Sequence, residues 1–233
     1  MKHKSRFTLI ELLVVISIIA ILASLLLPTL NSAKNTARTI KCNGNMGQFG
    51  KAFACYANDY NEYICPFRDN INGATSKFWH RALLQEYLNE QETYIILGGY
   101  CWSGGRRIDS KLVCPTLVPP ESGAKYSYAI NWRFSNSFPN TWYSKFVQIS
   151  RPSRGCLMAE ASSTTSASLC GYYLDGGSNN YAQGFPHNGG ENILFLDFHT
   201  KWYKRSQIPD QAILSTAWKS TLWDPINWTN DNW

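Results

Sequence analysis

A single carboxylate stands at the mouth of an uninterrupted apolar run, and no other feature of the chain restricts its fold as much. Leu12 to Leu27 holds no charged residue and stops at Pro28; Glu11 comes immediately before it, after Phe7-Thr8-Leu9-Ile10. Counted from Phe7 to Leu27 the segment is about 21 residues with one charge, against the roughly 20 that a membrane-spanning helix needs. Residues 13–22 carry no charge on any side, so no water-facing stripe exists. Lys2, Lys4 and Arg6 precede the segment and no acid does, which leaves the N-terminus in the cytoplasm and the rest of the chain outside it. An ionisable group at such a depth is costly and marks a functional position. The alternative is a cleaved secretory signal, whose site needs small residues after the apolar core. Only Ala23-Ser24 qualifies, and three leucines follow it, so a retained helix is the better reading.

The helical rhythm continues past Pro28. Leu30, Ala33, Ala37 and Ile40 recur at 3,4,3 spacing, and Met46, Phe49, Phe53, Tyr56 and Tyr60 resume it after a shift of register. Pro28 removes one helix hydrogen bond. Gly44, Gly47 and Gly50 each lower helix propensity by about 1 kcal/mol, so a bend or fraying is expected among them. The expected organisation is a basic leader at 1–6, a transmembrane helix at 7–28, an amphipathic continuation at 29–60 and a globular domain at 61–233.

Without the leader and spanning helix, about 200 of the 233 residues remain, enough for one domain with its own core. The net charge of +6 comes in part from the leader and from Lys34, Arg38 and Lys41, and so small a balance does not point to nucleic acid. Phe78 to Leu88 reads as a helix with Trp79, Leu83 and Tyr87 on one face. Lys111 to Pro115, Lys125 to Asn131 and Gly155 to Glu160 read as strands. Glu191 to Asp197 and Thr200 to Lys204 read as a hairpin turning at Asp197-Phe198-His199. Residues 61–77, 98–110 and 161–190 are rich in Gly, Ser and Asn and read as loops. The class is α+β: a long N-terminal helix packed on a C-terminal antiparallel β-sheet domain.

Seven cysteines lie beyond the apolar run. If that side is oxidising, some should pair. Cys156 with Cys170 and Cys101 with Cys114 are candidates for closing loops, and Cys42 for tying the helix to the domain. Buried reduced cysteines are the alternative. No Cys-x-x-Cys occurs, which speaks against a zinc ribbon or a thioredoxin-type motif.

Arg6-Phe7-Thr8-Leu9-Ile10-Glu11-Leu12-Leu13-Val14-Val15-Ile16 resembles the signal of type IV prepilins and of type II secretion pseudopilins. The resemblance implies a type IV pilin-like fold and cleavage by a prepilin peptidase between Arg6 and Phe7. The new amine would be methylated, and Glu11, then the fifth residue, would neutralise the amine of a neighbouring subunit. It also implies a structural subunit of the inner membrane, single-pass, with the C-terminal domain periplasmic or extracellular, assembled with other pilin or pseudopilin subunits into a filament. Arg6 stands where that family usually has Gly. His187, nine residues and Asp197 are similar to the His-x9-Asp-Gly motif of bacterial prepilin-like proteins, with Phe198 in place of the Gly. Tyr56 to Tyr60, Val113-Cys114-Pro115, Tyr128 to Asn131 and Arg151-Pro152-Ser153 also look like landmarks of that group, in its order.

No hydrolase, phosphate-loop or metalloprotease motif is present, so no catalytic activity, cofactor or metal is expected. His187, Asp197 and His199 would ligate a metal only if the hairpin gathered them; the simpler expectation is that His187 and Asp197 hydrogen-bond across the turn. Asp175 to Asn180 offers oxygens that suit Ca2+ but reads better as a turn. Trp218, Trp223, Trp228 and Trp233 recur every five residues; they suit packing on the sheet or, as a second option, contact with polysaccharide. An anchored binding module that does not polymerise is the alternative to a filament subunit.

Overall fold

A computed structural model describes residues 8–65, 68–69, 77–78, 85–90, 97–119, 121, 124–131, 145–160, 171–172 and 186–208. The chain divides into two compact units, Met1–Ala37 and Arg38–Trp233. One helix, α1 (Leu9–Asp59), contributes to both.

In the first unit Thr8 and Glu11 start the helix. The Thr8 hydroxyl accepts from the Glu11 N–H at 3.3 Å, and Glu11 Oε2 accepts from the Thr8 N–H and hydroxyl at 2.7 Å each. This reciprocal pair is a capping box. Ser17, Ser24 and Thr29 turn their hydroxyls back onto the carbonyls of Leu13, Ile21 and Leu26 at 2.7–2.8 Å. Their donors are therefore satisfied within the helix, as a water-free surrounding requires. The large apolar side chains from Leu9 to Leu30 are all exposed, Val15 at 48% being the most covered. The result is one helix long and apolar enough to cross a membrane.

In the second unit α1 buries one face, with Cys42, Met46, Phe49, Phe53 and Tyr56 at alternating 4,3 spacing. Leu30 and Ile40 are 64% and 66% exposed, so the buried stripe is the later of the two rhythms. The helix continues through Gly44, Gly47 and Gly50. Burying Met46, Phe49 or Phe53 stabilises by about 1.5–3 kcal/mol each, which exceeds the glycine cost of about 1 kcal/mol each.

The strands in chain order are β1 (Arg68–Asp69), β2 (Lys77–Phe78), β3 (Gly99–Ser103), β4 (Arg106–Asp109), β5 (Ala124–Tyr126), β6 (Tyr128–Asn131), β7 (Cys156–Glu160), β8 (Gly171–Tyr172), β9 (Gly190–Phe195) and β10 (Thr200–Lys204). They form a β1-β2 pair, a three-stranded sheet ordered β4-β3-β5 and a five-stranded sheet ordered β10-β9-β7-β6-β8. The larger sheet is antiparallel except that β8 runs parallel to β6. Side chains alternate across it. Tyr128, Ile130, Met158 and Leu194 share a core with Met46, Phe49 and Phe53 of α1, while Ala129, Ala159, Ile193 and Phe195 fill a second cluster. Phe49 meets Tyr128 edge-to-face at 5.4 Å between ring centroids.

The α+β class and the helix on its sheet domain are as expected, but several local readings change. Segments 61–77 and 161–190, expected as loops, contain the short strands β1 and β8, which backbone pairing with β2 and β6 sets. Residues 98–110 are not a loop: β3 and β4 form a hairpin turning at Gly104 and Gly105, whose φ angles of 59° and 77° suit a tight two-residue turn. Residues 125–131 are not one strand: Ser127 separates β5 from β6, which lie in different sheets. Lys111 to Pro115 is not a strand, because side chains take its backbone groups. Ser110 Oγ accepts from the Leu112 N–H at 3.2 Å, Glu90 Oε1 from the Lys111 N–H at 3.0 Å and Ser127 Oγ from the Cys114 N–H at 2.9 Å. Asn45 Nδ2 donates to the Leu112 carbonyl at 2.9 Å. Phe78 belongs to β2 and Glu86–Leu88 is a 3-10 turn, so neither described end of the expected helix is α-helical. Residues 79–84 lie outside the described residues.

Candidate metal centre

Four side chains from four parts of the second unit converge. Cys42 lies on the buried face of α1, one turn before Met46. Cys114 follows β4 in the turn segment that Ser127 and Asn45 hold. Glu160 is the last residue of β7. His187 opens the turn into β9, where its carbonyl accepts from the Gly190 N–H at 2.9 Å and from the Trp202 indole N–H at 3.3 Å. Asn188 and Gly189 take φ angles of 52° and 71° in that turn. Trp202 crosses Gly190 so closely that a Cβ there would fall 2.4 Å from Trp202 Cζ2, so only glycine permits this contact.

All four side chains are buried, Cys42 and Glu160 at 0% exposure and Cys114 and His187 at 2%. One sulfur from each cysteine, a Glu160 oxygen and a His187 nitrogen lie within 4.8 Å of one another. His187 Nε2 is 3.1 Å from Glu160 Oε1 and 3.4 Å from Cys114 Sγ. A surrounding set of polar groups fixes these donors. Asn192 donates its N–H to Glu160 Oε2 at 2.8 Å and its amide to Glu160 Oε1 at 3.0 Å. Tyr128 donates to Cys42 Sγ at 3.6 Å, and Thr116 Oγ1 lies 2.9 Å from Cys114 Sγ.

The electrostatics follow from this proximity. A hydrogen bond from Cys42, helped by His187 and Thr116, outweighs burial and holds the Cys114 thiol down at about 4. The same bond to Cys114, then burial and the Glu160 charge, push the Cys42 thiol far up. Burial opposes the His187 imidazolium, but its bonds to Cys114 and Glu160 raise it to about 9. Without a metal the contacts thus favour the thiolate of Cys114, the imidazolium of His187 and the protonated form of Cys42. Two thiols, an imidazole and a carboxylate are also ligand types that zinc takes. A cysteine nucleophile needs its histidine oriented through the nitrogen that does not face the sulfur. Here carboxylate and sulfur both face Nε2.

The positions singled out in the sequence fall elsewhere in part. His187 and Asp197 do not pair: His187 meets Glu160 and Cys114, whereas Asp197 Oδ1 bonds His199 Nδ1 and accepts from the His199 N–H at 3.2 Å. The reason is that His187 points into the core while Asp197 sits on the turn between β9 and β10, 34% exposed. Hence His187, Asp197 and His199 form no common site. Glu11 caps its own helix, and Arg6, Phe7, Cys170, Asp175 to Asn180 and the four C-terminal tryptophans lie outside the described residues. Cys101 and Cys114 stand as free thiols, as do Cys42 and Cys156. Cys156 is buried in the second cluster, where burial pushes its thiol well up. Sequence reasoning missed Glu160 and the meeting of Cys42, Cys114 and His187; the only local hints were Cys114 before Pro115 and His187 before Asn-Gly-Gly. No protein-family profile matches the chain, and no curated protein or solved structure shows significant similarity to it.

Proposed function

We propose that the chain is a structural subunit of the pilin or pseudopilin type, held in the inner membrane by the first half of α1 and assembled with like subunits into a filament. A prepilin peptidase is its processing partner, and the domain lies periplasmic or extracellular. The observation that carries this reading is the exposed apolar surface from Leu9 to Leu30, interrupted by the single carboxylate of Glu11. Such a surface needs lipid or other apolar helices around it. A lone carboxylate in that setting calls for a cation, and the terminal amine of a neighbouring subunit supplies one. The domain supplies the outer surface and has no catalytic role.

One observation favours the competing reading of an anchored module that does not polymerise. Glu11 already accepts two hydrogen bonds from Thr8 of its own chain, so it has a use without a neighbour. Photocrosslinking from Leu13 in membranes separates the two. Wild type should give crosslinked oligomers; Glu11→Ala should keep the membrane fraction and lose them. No crosslinks in wild type would favour the anchored module, and an unchanged pattern in Glu11→Ala would contradict the pairing role given to Glu11.

A further inference from the structure

We propose that Cys42, Cys114, Glu160 and His187 form a four-coordinate zinc(II) site that fastens the second half of α1 to the sheet and to the Cys114 segment. The site does not depend on polymerisation.

The ligand set argues first. Thiolates exclude Ca2+ and Mg2+, which take oxygen. Two sulfurs with one imidazole and one carboxylate suit a borderline-soft ion of tetrahedral preference. Four protein donors leave no open position, which is the arrangement of a structural zinc and not of a catalytic one. Burial agrees, because every donor is at most 2% exposed.

Geometry argues second. Zinc–sulfur bonds of about 2.3 Å and zinc–nitrogen or zinc–oxygen bonds of about 2.0–2.2 Å set tetrahedral edges near 3.3–3.8 Å. Two of the three edges at His187 measure 3.1 and 3.4 Å, and no pair exceeds 4.8 Å. A neutral imidazole has one N–H to give and cannot bond a sulfur and a carboxylate equally through Nε2. A cation at the common focus of the four donors satisfies all of them at once.

The surroundings argue third. Glu160 is held by two bonds from Asn192, Cys42 receives the Tyr128 hydroxyl, and Cys114 meets Thr116. Metal ligands are oriented by such outer partners. Asn192 in turn reaches α1, accepting from Asn43 Nδ2 at 3.3 Å, so the centre and the helix contact are one network.

The test uses the full chain, purified in detergent with a tag that contains no histidine run. Elemental analysis should find one zinc per chain, and Co2+ exchanged for it should give the visible bands of a tetrahedral thiolate complex. Alkylation followed by peptide mapping should find Cys42 and Cys114 protected by zinc and reactive after chelation, while exposed Cys55 reacts in both states. Cys114→Ser should lose the metal and Cys55→Ser should keep it. The wild-type cobalt spectrum and protection pattern decide the matter even if Cys114→Ser fails to fold. The proposal is overturned if the zinc-loaded chain holds no stoichiometric metal, if zinc leaves both thiols equally reactive, or if mapping finds a Cys42–Cys114 disulfide in protein from membranes.

Discussion

At the residue scale, His187 and Asp197 are a matched pair in sequence and an unequal pair in structure. His187→Ala removes the side chain 3.1 Å from buried Glu160 Oε1 and should cost about 3–5 kcal/mol. Asp197→Ala removes only a partly exposed partner of His199, worth about 0–1 kcal/mol. Denaturant titration of the two variants measures the contrast, and equal losses would refute the assignment. The pH response of the metal-free protein follows from the same cluster. The depressed Cys114 thiol contributes stability that is complete above its ordinary value of 9.0 and is lost as pH falls toward about 4. The raised His187 contributes stability that is complete below 6.5 and is lost as pH rises through about 9. Between pH 6.5 and 9 the two slopes oppose each other, so only acidification from 6.5 toward 4 uncovers the thiolate contribution. Melting temperature should fall over that range, and Cys114→Ser should flatten the fall; an equally steep fall in the variant would contradict it. Neither His187 nor Cys114 shows this in sequence, because the two are 73 positions apart and neither stands in a ligand motif.

At the scale of elements, glycines separate open helix surface from close packing. Added Cβ atoms at Gly44 and Gly47 would meet nothing within 4 Å, so Gly44→Ala and Gly47→Ala should each stabilise the isolated chain by about 0.5–1 kcal/mol. At Gly190 a Cβ would fall 2.3 Å from the Tyr203 carbonyl oxygen. Gly190→Ala should therefore destabilise by about 1–3 kcal/mol and disturb the turn that presents His187. Thermal melts of the three variants should rise, rise and fall. The elements legible in sequence are those with local signals: the apolar half of α1, the Cys156–Glu160 strand and the β9–β10 hairpin. The Lys111 to Pro115 segment reads as a strand in sequence because, Ser110 apart, the side chains that hold it come from Asn45, Glu90 and Ser127, which are remote in sequence. The β3–β4 hairpin had its signal in Gly104-Gly105, but the surrounding Gly and Ser content outweighed it.

At the scale of the whole molecule, an apolar helical segment and a sheet domain with its own buried core are joined in one chain, and the N-terminus decides how the first is used. Glu11 in an unprocessed chain caps its own helix through Thr8. Cleavage before Phe7 would place a new amine within four residues of that carboxylate and remove Lys2, Lys4 and Arg6. The pilin-type account requires that cleavage, whereas an anchored module works equally well with its leader intact. Intact-mass and N-terminal peptide mass spectrometry on protein from native membranes tests this most directly. The account predicts a chain beginning at methylated Phe7; an intact Met1, or an N-terminus near Leu25, would contradict it.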